Sequence, residues 1–156
     1  GVLDVLNRFV KLISPKMMFM GKKDYQQYFL VRDFISKFYK TKVYPCKTIR
    51  SSNGIALSSR NKLLNKSDLK TSGLIVGELV KLKQTLFRQN KLDSISFKKS
   101  RDLIKKTRGN LIRRFNVKIE YLECRNLIDL STNLHNKPFK LFVSYYLNKV
   151  RLIDNF

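Results

Sequence analysis

The sequence predicts an α/β fold, and three observations carry that prediction. Short apolar runs at Met17–Met20 and Lys42–Ile49 alternate with helical stretches, the pattern of successive strand–helix units. Gly21 and the pair Asn53-Gly54 follow those runs, where a chain leaving a strand has to turn. Past residue 64 the pattern changes to two long helical stretches and then strand-like runs, which suits helices beside a small antiparallel sheet.

Each element has a local reason. Val2, Leu3, Leu6, Phe9, Val10 and Ile13 fall on one broad helical face, and Ser14-Pro15 ends that helix. Met17 to Met20 reads as a short buried strand. A helix opens at Asp24 and runs to about Tyr39, with Tyr28, Val31, Phe34 and Ile35 at helical spacing. Lys42 to Ile49 reads as a strand in which Pro45 marks an edge or an irregularity. Ser67 with Asp68 starts a helix to about Arg88, and Gln89-Asn90 begins a linker. Ser96 or Phe97 to Phe115 is a basic amphipathic helix, weakened at Gly109. Val117 to Arg125 is a strand. Phe139 to Tyr146 and Val150 to Ile153 flank Leu147-Asn148-Lys149 as a hairpin. The expected division is residues 1–64 and 65–156.

Composition narrows the function. A hydrophobic content of 43% with 12% aromatics is globular. No apolar run approaches the length of a membrane span, and no secretory signal opens the chain. Gly1 in place of an initiating Met fits a fragment. Cys46 and Cys124 belong to no C-x-x-C pattern and read as buried free thiols of a reducing compartment, the cytoplasm. The only histidine is His135, and no His/Cys cluster supports a metal. The net charge of +22 predicts attraction to polyanions, but the basic residues are dispersed and no aromatic–basic platform accompanies them. Non-specific adhesion is expected, specific nucleic-acid recognition is not.

Two segments carry chemistry. In Ser51-Ser52-Asn53-Gly54-Ile55-Ala56-Leu57-Ser58-Ser59-Arg60-Asn61 a tight-turn signal precedes two hydroxyls and a guanidinium. Hydroxyls donate single hydrogen bonds, and the guanidinium is a planar fork that fits phosphate oxygens. Solvated loops are also rich in these residues. In Gly21-Lys22-Lys23-Asp24-Tyr25-Gln26-Gln27 a strand passes through a glycine turn into a helix. Ligands of α/β sheets bind beyond the carboxyl ends of strands, where Lys23 and Asp24 would sit. The plain alternative is an exposed charged turn with a capping Asp.

Both segments resemble signatures of the pantoate–β-alanine ligase (pantothenate synthetase) family, whose typical forms are G-E-K-D-x-Q-Q and D-G-L-A-x-S-S-R-N. Val117–Glu123 and Arg151-Leu152-Ile153-Asp154-Asn155 resemble the family's later strands, so the resemblance runs over essentially the whole chain. The family's H-x-G-H segment is missing, so the chain resembles the C-terminal half. The resemblance implies the end of a Rossmann-like nucleotide-binding sheet followed by a lid-like α+β lobe. It implies ATP as co-substrate with Mg²⁺, pantoate and β-alanine as substrates, and a homodimer in the complete enzyme. Carried over by position, Lys23, Ser58, Ser59 and Arg60 bind ATP phosphates and promote adenylation. Gly21 and Asp24 hold the ribose, Ile49 lines the adenine pocket, and Gln27 binds pantoate. The departures, Lys22 for Glu, Ser51-Ser52-Asn53 for acidic residues and Ile55 for Leu, leave those positions intact. The rival classes are another adenylate-forming nucleotidyl transferase and a basic nucleic-acid-binding module.

Overall fold

The structure, a computed structural model, describes residues 1–91, 97–134 and 137–156. The chain forms two compact units, Gly1–Ile49 and Arg50–Phe156. His135 lies outside the described residues.

The first unit contains α1 (Val2–Ile13), β1 (Met17–Gly21), α2 (Tyr25–Phe38) and β2 (Lys42–Cys46). Ser14 ends α1 in the left-handed region, at φ 47°, and returns its N–H to the Val10 carbonyl. β1 and β2 pair in parallel, from Met17 opposite Lys42 to Gly21 opposite Cys46. Val10 of α1 and Val31 and Ile35 of α2 are buried against Met18, Met20 and Val43. The Thr41 hydroxyl donates to the Pro15 carbonyl at 2.6 Å, holding the entries of the two strands together.

Three expectations change here. Met17–Met20 is not buried throughout: side chains alternate across a strand, and Met17 and Phe19 are exposed while Met18 and Met20 face the helices. The second strand stops at Cys46 and not at Ile49, because β1 ends at Gly21 and leaves residues 47–49 nothing to pair with. Cys46 is exposed, not buried. It shares the uncovered face of β2 with Tyr44 and Lys42, two and four residues before it.

The second unit contains α3 (Lys66–Lys91), α4 (Phe97–Phe115), β3 (Lys118–Asn126), β4 (Phe139–Leu147) and β5 (Val150–Asn155). α3 runs past the expected linker at Gln89-Asn90, and α4 continues through Gly109. The strands form an antiparallel sheet in the order β3-β4-β5. Ile75, Leu79, Leu82 and Leu86 of α3 and Leu111 of α4 pack with Leu122, Cys124, Leu141, Val143 and Tyr145 into one core. Leu147 pairs with Val150 across a two-residue turn in which Asn148 takes φ 53°, a conformation asparagine tolerates. The Asn148 amide then donates to Asp68 at 2.9 Å, tying the hairpin to the start of α3.

The compact units divide after Ile49, whereas the expected domain division lies after Leu64. Residues 50–64 join the second unit through long-range bonds: Arg50 reaches Asp154 and Asn155 of β5.

Candidate functional site

The first loop lies at the carboxyl end of β1. Gly21 closes the strand, and Lys22–Asp24 make one turn of 3-10 helix before α2. Asp24 occupies the N-cap position of α2, yet its side chain makes no capping hydrogen bond. Its carboxylate is exposed, as is Gln27 one helical turn on. Lys23 is half-buried. The next residue, Tyr25, is buried and stacks edge-on against Tyr28 at 5.7 Å. Burial pushes its hydroxyl above the ordinary range, with the charge of Arg32 opposing and Tyr28 adding to the rise. This aromatic base fixes the first turn of α2, so Asp24 and Gln27 project from a firm element. Ile49 is exposed beyond the end of β2.

The second loop begins with a hairpin-like bend. Arg50 and Ala56 form an antiparallel bridge, the Ser51 N–H donates to the Ile55 carbonyl at 2.9 Å, and the Gly54 N–H to the Ser51 carbonyl at 2.9 Å. Of the expected pair, Gly54 alone takes positive φ, at 84°. The bend is pinned to α3. The Asn53 amide donates to the Leu69 carbonyl at 3.1 Å, and a Cβ at Gly73 would come within 3.1 Å of Asn53. Ile55 and Ala56 are buried.

Ser58 then leads into a 3-10 turn, Ser59–Leu63. The Ser58 hydroxyl accepts from the Arg60 N–H at 3.3 Å and caps that turn. Ser59 and Arg60 are exposed, so a hydroxyl and a guanidinium stand in water on a capped support. Asn61 had no assigned role in the sequence. Its amide donates to the Ala56 carbonyl at 3.0 Å, drawing the two ends of the loop together, while its buried Oδ1 has no hydrogen-bond partner. The structure thus brings Ser58, Ser59 and Arg60 together in the second unit. Gly21, Lys23, Asp24 and Gln27 cluster in the first.

A family model described as pantoate-beta-alanine ligase matches residues 1–156. The chain belongs to the pantoate–β-alanine ligase family. A bifunctional pantoate ligase/cytidylate kinase of Prochlorococcus marinus is 35% identical, over 99% of this chain and 29% of that protein. A pantothenate synthetase of Leptospira interrogans is 32% identical, over 99% of this chain and 53% of that protein. The crystal structure of pantothenate synthetase from Thermus thermophilus shares the fold, with a TM-score of 0.82 at 24% identity over 100% of this chain and 54% of that one. The ligase from Francisella tularensis, solved with β-γ ATP and β-alanine, gives a TM-score of 0.64 at 29% identity, over 100% of this chain and 49% of that one. The chain therefore spans about half the length of the pantothenate synthetases it matches.

Arg50, like Asn61, carried no expected role in the sequence. Arg50 is the nearest charged group before the bend, and its guanidinium meets Asp154 in the closing segment Arg151–Asn155. The only available signal was one acid in that segment and one base before the turn.

No cluster of three or more His, Cys, Asp or Glu suited to a metal occurs among the described residues. No described helix is long and apolar enough to cross a membrane.

Proposed function

We propose that the chain supplies the phosphate- and pantoate-handling segments of an ATP-dependent pantoate–β-alanine ligase. The order of its motifs supports a place after the family's H-x-G-H segment, which this chain lacks. In the complete enzyme the pantoate carboxylate attacks the ATP α-phosphate, giving pantoyl adenylate and pyrophosphate. The β-alanine amine then attacks the activated carbonyl and releases AMP. Neither step needs a protein nucleophile. Both need close positioning and stabilisation of charge growing on phosphate oxygens.

The observation that carries this reading is the capped turn presenting Ser59 and Arg60 to solvent, in a chain matched by the ligase family along its length. Ser58, Ser59 and Arg60 donate to the phosphates, and Lys23 adds a compact positive charge. The uncapped Asp24 carboxylate, with the Gly21 backbone, accepts from the ribose hydroxyls. Gln27 donates to pantoate oxygens, and Ile49 lines the adenine. Mg²⁺ is ordinarily held by one or two carboxylates together with substrate phosphates. Asp24, the one carboxylate in these two loops, is engaged by the ribose in this reading, so these loops supply no ligand to an ion that arrives on ATP. Such an ion would neutralise phosphate charge. Homodimerisation and a cytoplasmic setting belong to the same reading.

The test is a calorimetric titration of ATP into the 156-residue chain and its Arg60→Ala variant, beside a DNA oligonucleotide. Weak, salt-sensitive ATP binding that falls in the variant is expected. Equal ATP binding by both proteins, or DNA binding that persists at high salt, would favour a general basic module instead.

A further inference from the structure

We propose that Arg50 and Asp154 are positioning residues for the Ser58-Ser59-Arg60 loop, an inference that rests on the phosphate-binding reading of that loop. The Arg50 guanidinium meets the Asp154 carboxylate as a two-pronged fork. Nη1 donates to Oδ2 at 2.6 Å and Nη2 to Oδ1 at 2.9 Å. The same nitrogens donate to the Gly54 carbonyl at 2.9 Å and the Asn155 carbonyl at 3.2 Å. The Phe156 ring lies under the guanidinium at 4.8 Å. The Asp154 side chain is 7% exposed and that of Arg50 28%. A carboxylate so far withdrawn from water has to be paired, and the fork meets that need with directional bonds.

The consequence passes along the backbone. Arg50 is bridged to Ala56, two residues before Ser58, and Asn61 holds the Ala56 carbonyl from the other side. Segment 57–60 is therefore strung between an anchor at Ala56 and an anchor at Asn61. The Ala56 anchor is fastened to β5 through Arg50. Ser59 and Arg60 touch water, so packing of their own side chains does little to orient them. Fixed geometry of such donors is what separates a charge-stabilising site from a charged surface. Arg50 spends its donors on Asp154, Gly54 and Asn155, so its role is to hold the loop and not to touch phosphate.

The test uses the 156-residue chain labelled with ¹⁵N, with inorganic pyrophosphate as the probe. In the wild type, pyrophosphate should shift the amide signals of Ser58 to Asn61. Asp154→Asn should retain the amide pattern of α3 and β3, raise the fast mobility of residues 57–61, and weaken pyrophosphate binding about tenfold or more. Arg50→Lys keeps the charge but loses the fork. It should give the same two changes in milder form, and it stands in should Asp154→Asn fail to fold. Arg60→Ala should weaken binding with no rise in mobility. Variants of Arg50 or Asp154 that fold and bind pyrophosphate like the wild type would overturn the proposal. So would a mobile loop with unchanged binding, which reduces the pair to a fold support. A wild type whose Ser58 to Asn61 signals ignore pyrophosphate would overturn the phosphate reading itself, whatever the mobility shows.

Discussion

Arg60 and Lys83 show how differently two cations can be placed in one chain. Arg60 is exposed on a capped turn and free to meet a ligand's charge. In the complete ligase, Arg60→Ala should cost about 2–4 kcal/mol of transition-state stabilisation, the scale for one preorganised donor. Adenylation kinetics measure this, and near-normal kcat/KM would remove Arg60 from the phosphate role. Lys83 is half-buried against the core. Its ammonium donates to the Phe139 carbonyl at 2.7 Å and lies 3.4 Å from the Phe139 ring centre. Burial lowers its pKa from 10.5 to about 8, with Cys124 opposing and Lys140 assisting. The sign follows from proton counting. Between those values the unfolded chain holds the proton and the folded chain releases it, so this group's contribution to stability rises with pH. Cys124, pushed by burial up to about 12, works against it at the alkaline end. The comparison of wild type with Lys83→Met isolates the lysine. The stability of wild type relative to the variant should rise from pH 8 to pH 10.5 and stay level below pH 8. Urea unfolding at several pH values reads this, and a constant difference would refute the lowered pKa.

At the scale of elements, the bend at residues 51–56 is where local and distant chemistry meet. Gly54 combines φ 84° with an approach of 3.2 Å between a Cβ built there and Val76 of α3. Gly54→Ala should therefore destabilise the second unit by about 1–2 kcal/mol, the range for forcing a side chain into the left-handed region. Thermal unfolding measures it, and an unchanged Tm would show that the bend can relax. The bend was legible in the sequence because Asn-Gly is a local signal. So was α1, bounded as expected by its apolar face and Ser14-Pro15. The attachment of the bend was not legible. Arg50 and Asp154 are 104 residues apart, and no periodicity links them. The same holds for Cys46. Its apolar neighbours suggested burial, but exposure depends on which face of β2 the helices cover.

The whole molecule pairs a well-filled second unit with a first unit that leaves apolar surface uncovered. Parallel sheets are usually covered on both faces. Here one face of β1 and β2 carries Met17, Phe19 and Tyr44 in the open, with the Phe19 and Tyr44 rings stacked at 5.7 Å. α1 exposes Val2, Val5, Phe9, Leu12 and Ile13 as well. Surfaces of this kind favour association. The charge of +22 works in the other direction by mutual repulsion, so self-association should grow as salt screens it. A chain spanning about half of its relatives carries these faces and both loops but no H-x-G-H segment. Incubated with ATP, Mg²⁺, pantoate and β-alanine, it should form no pantothenate and no AMP above the buffer control. Robust turnover, with contaminating enzyme excluded, would show that these loops suffice for the reaction. The family was readable because its two signature segments are runs of contiguous residues. The division after Ile49 was hidden because contacts across the chain decide it.

Cys46 faces Gly21 across the β1–β2 ladder, beside the turn that bears Lys23, and it is exposed. The chain's other thiol, Cys124, is buried and held protonated far above neutral pH. A maleimide dye applied to the folded protein should therefore attach at one address, next to the first loop. Without any engineered cysteine, its emission could report arrivals at that loop.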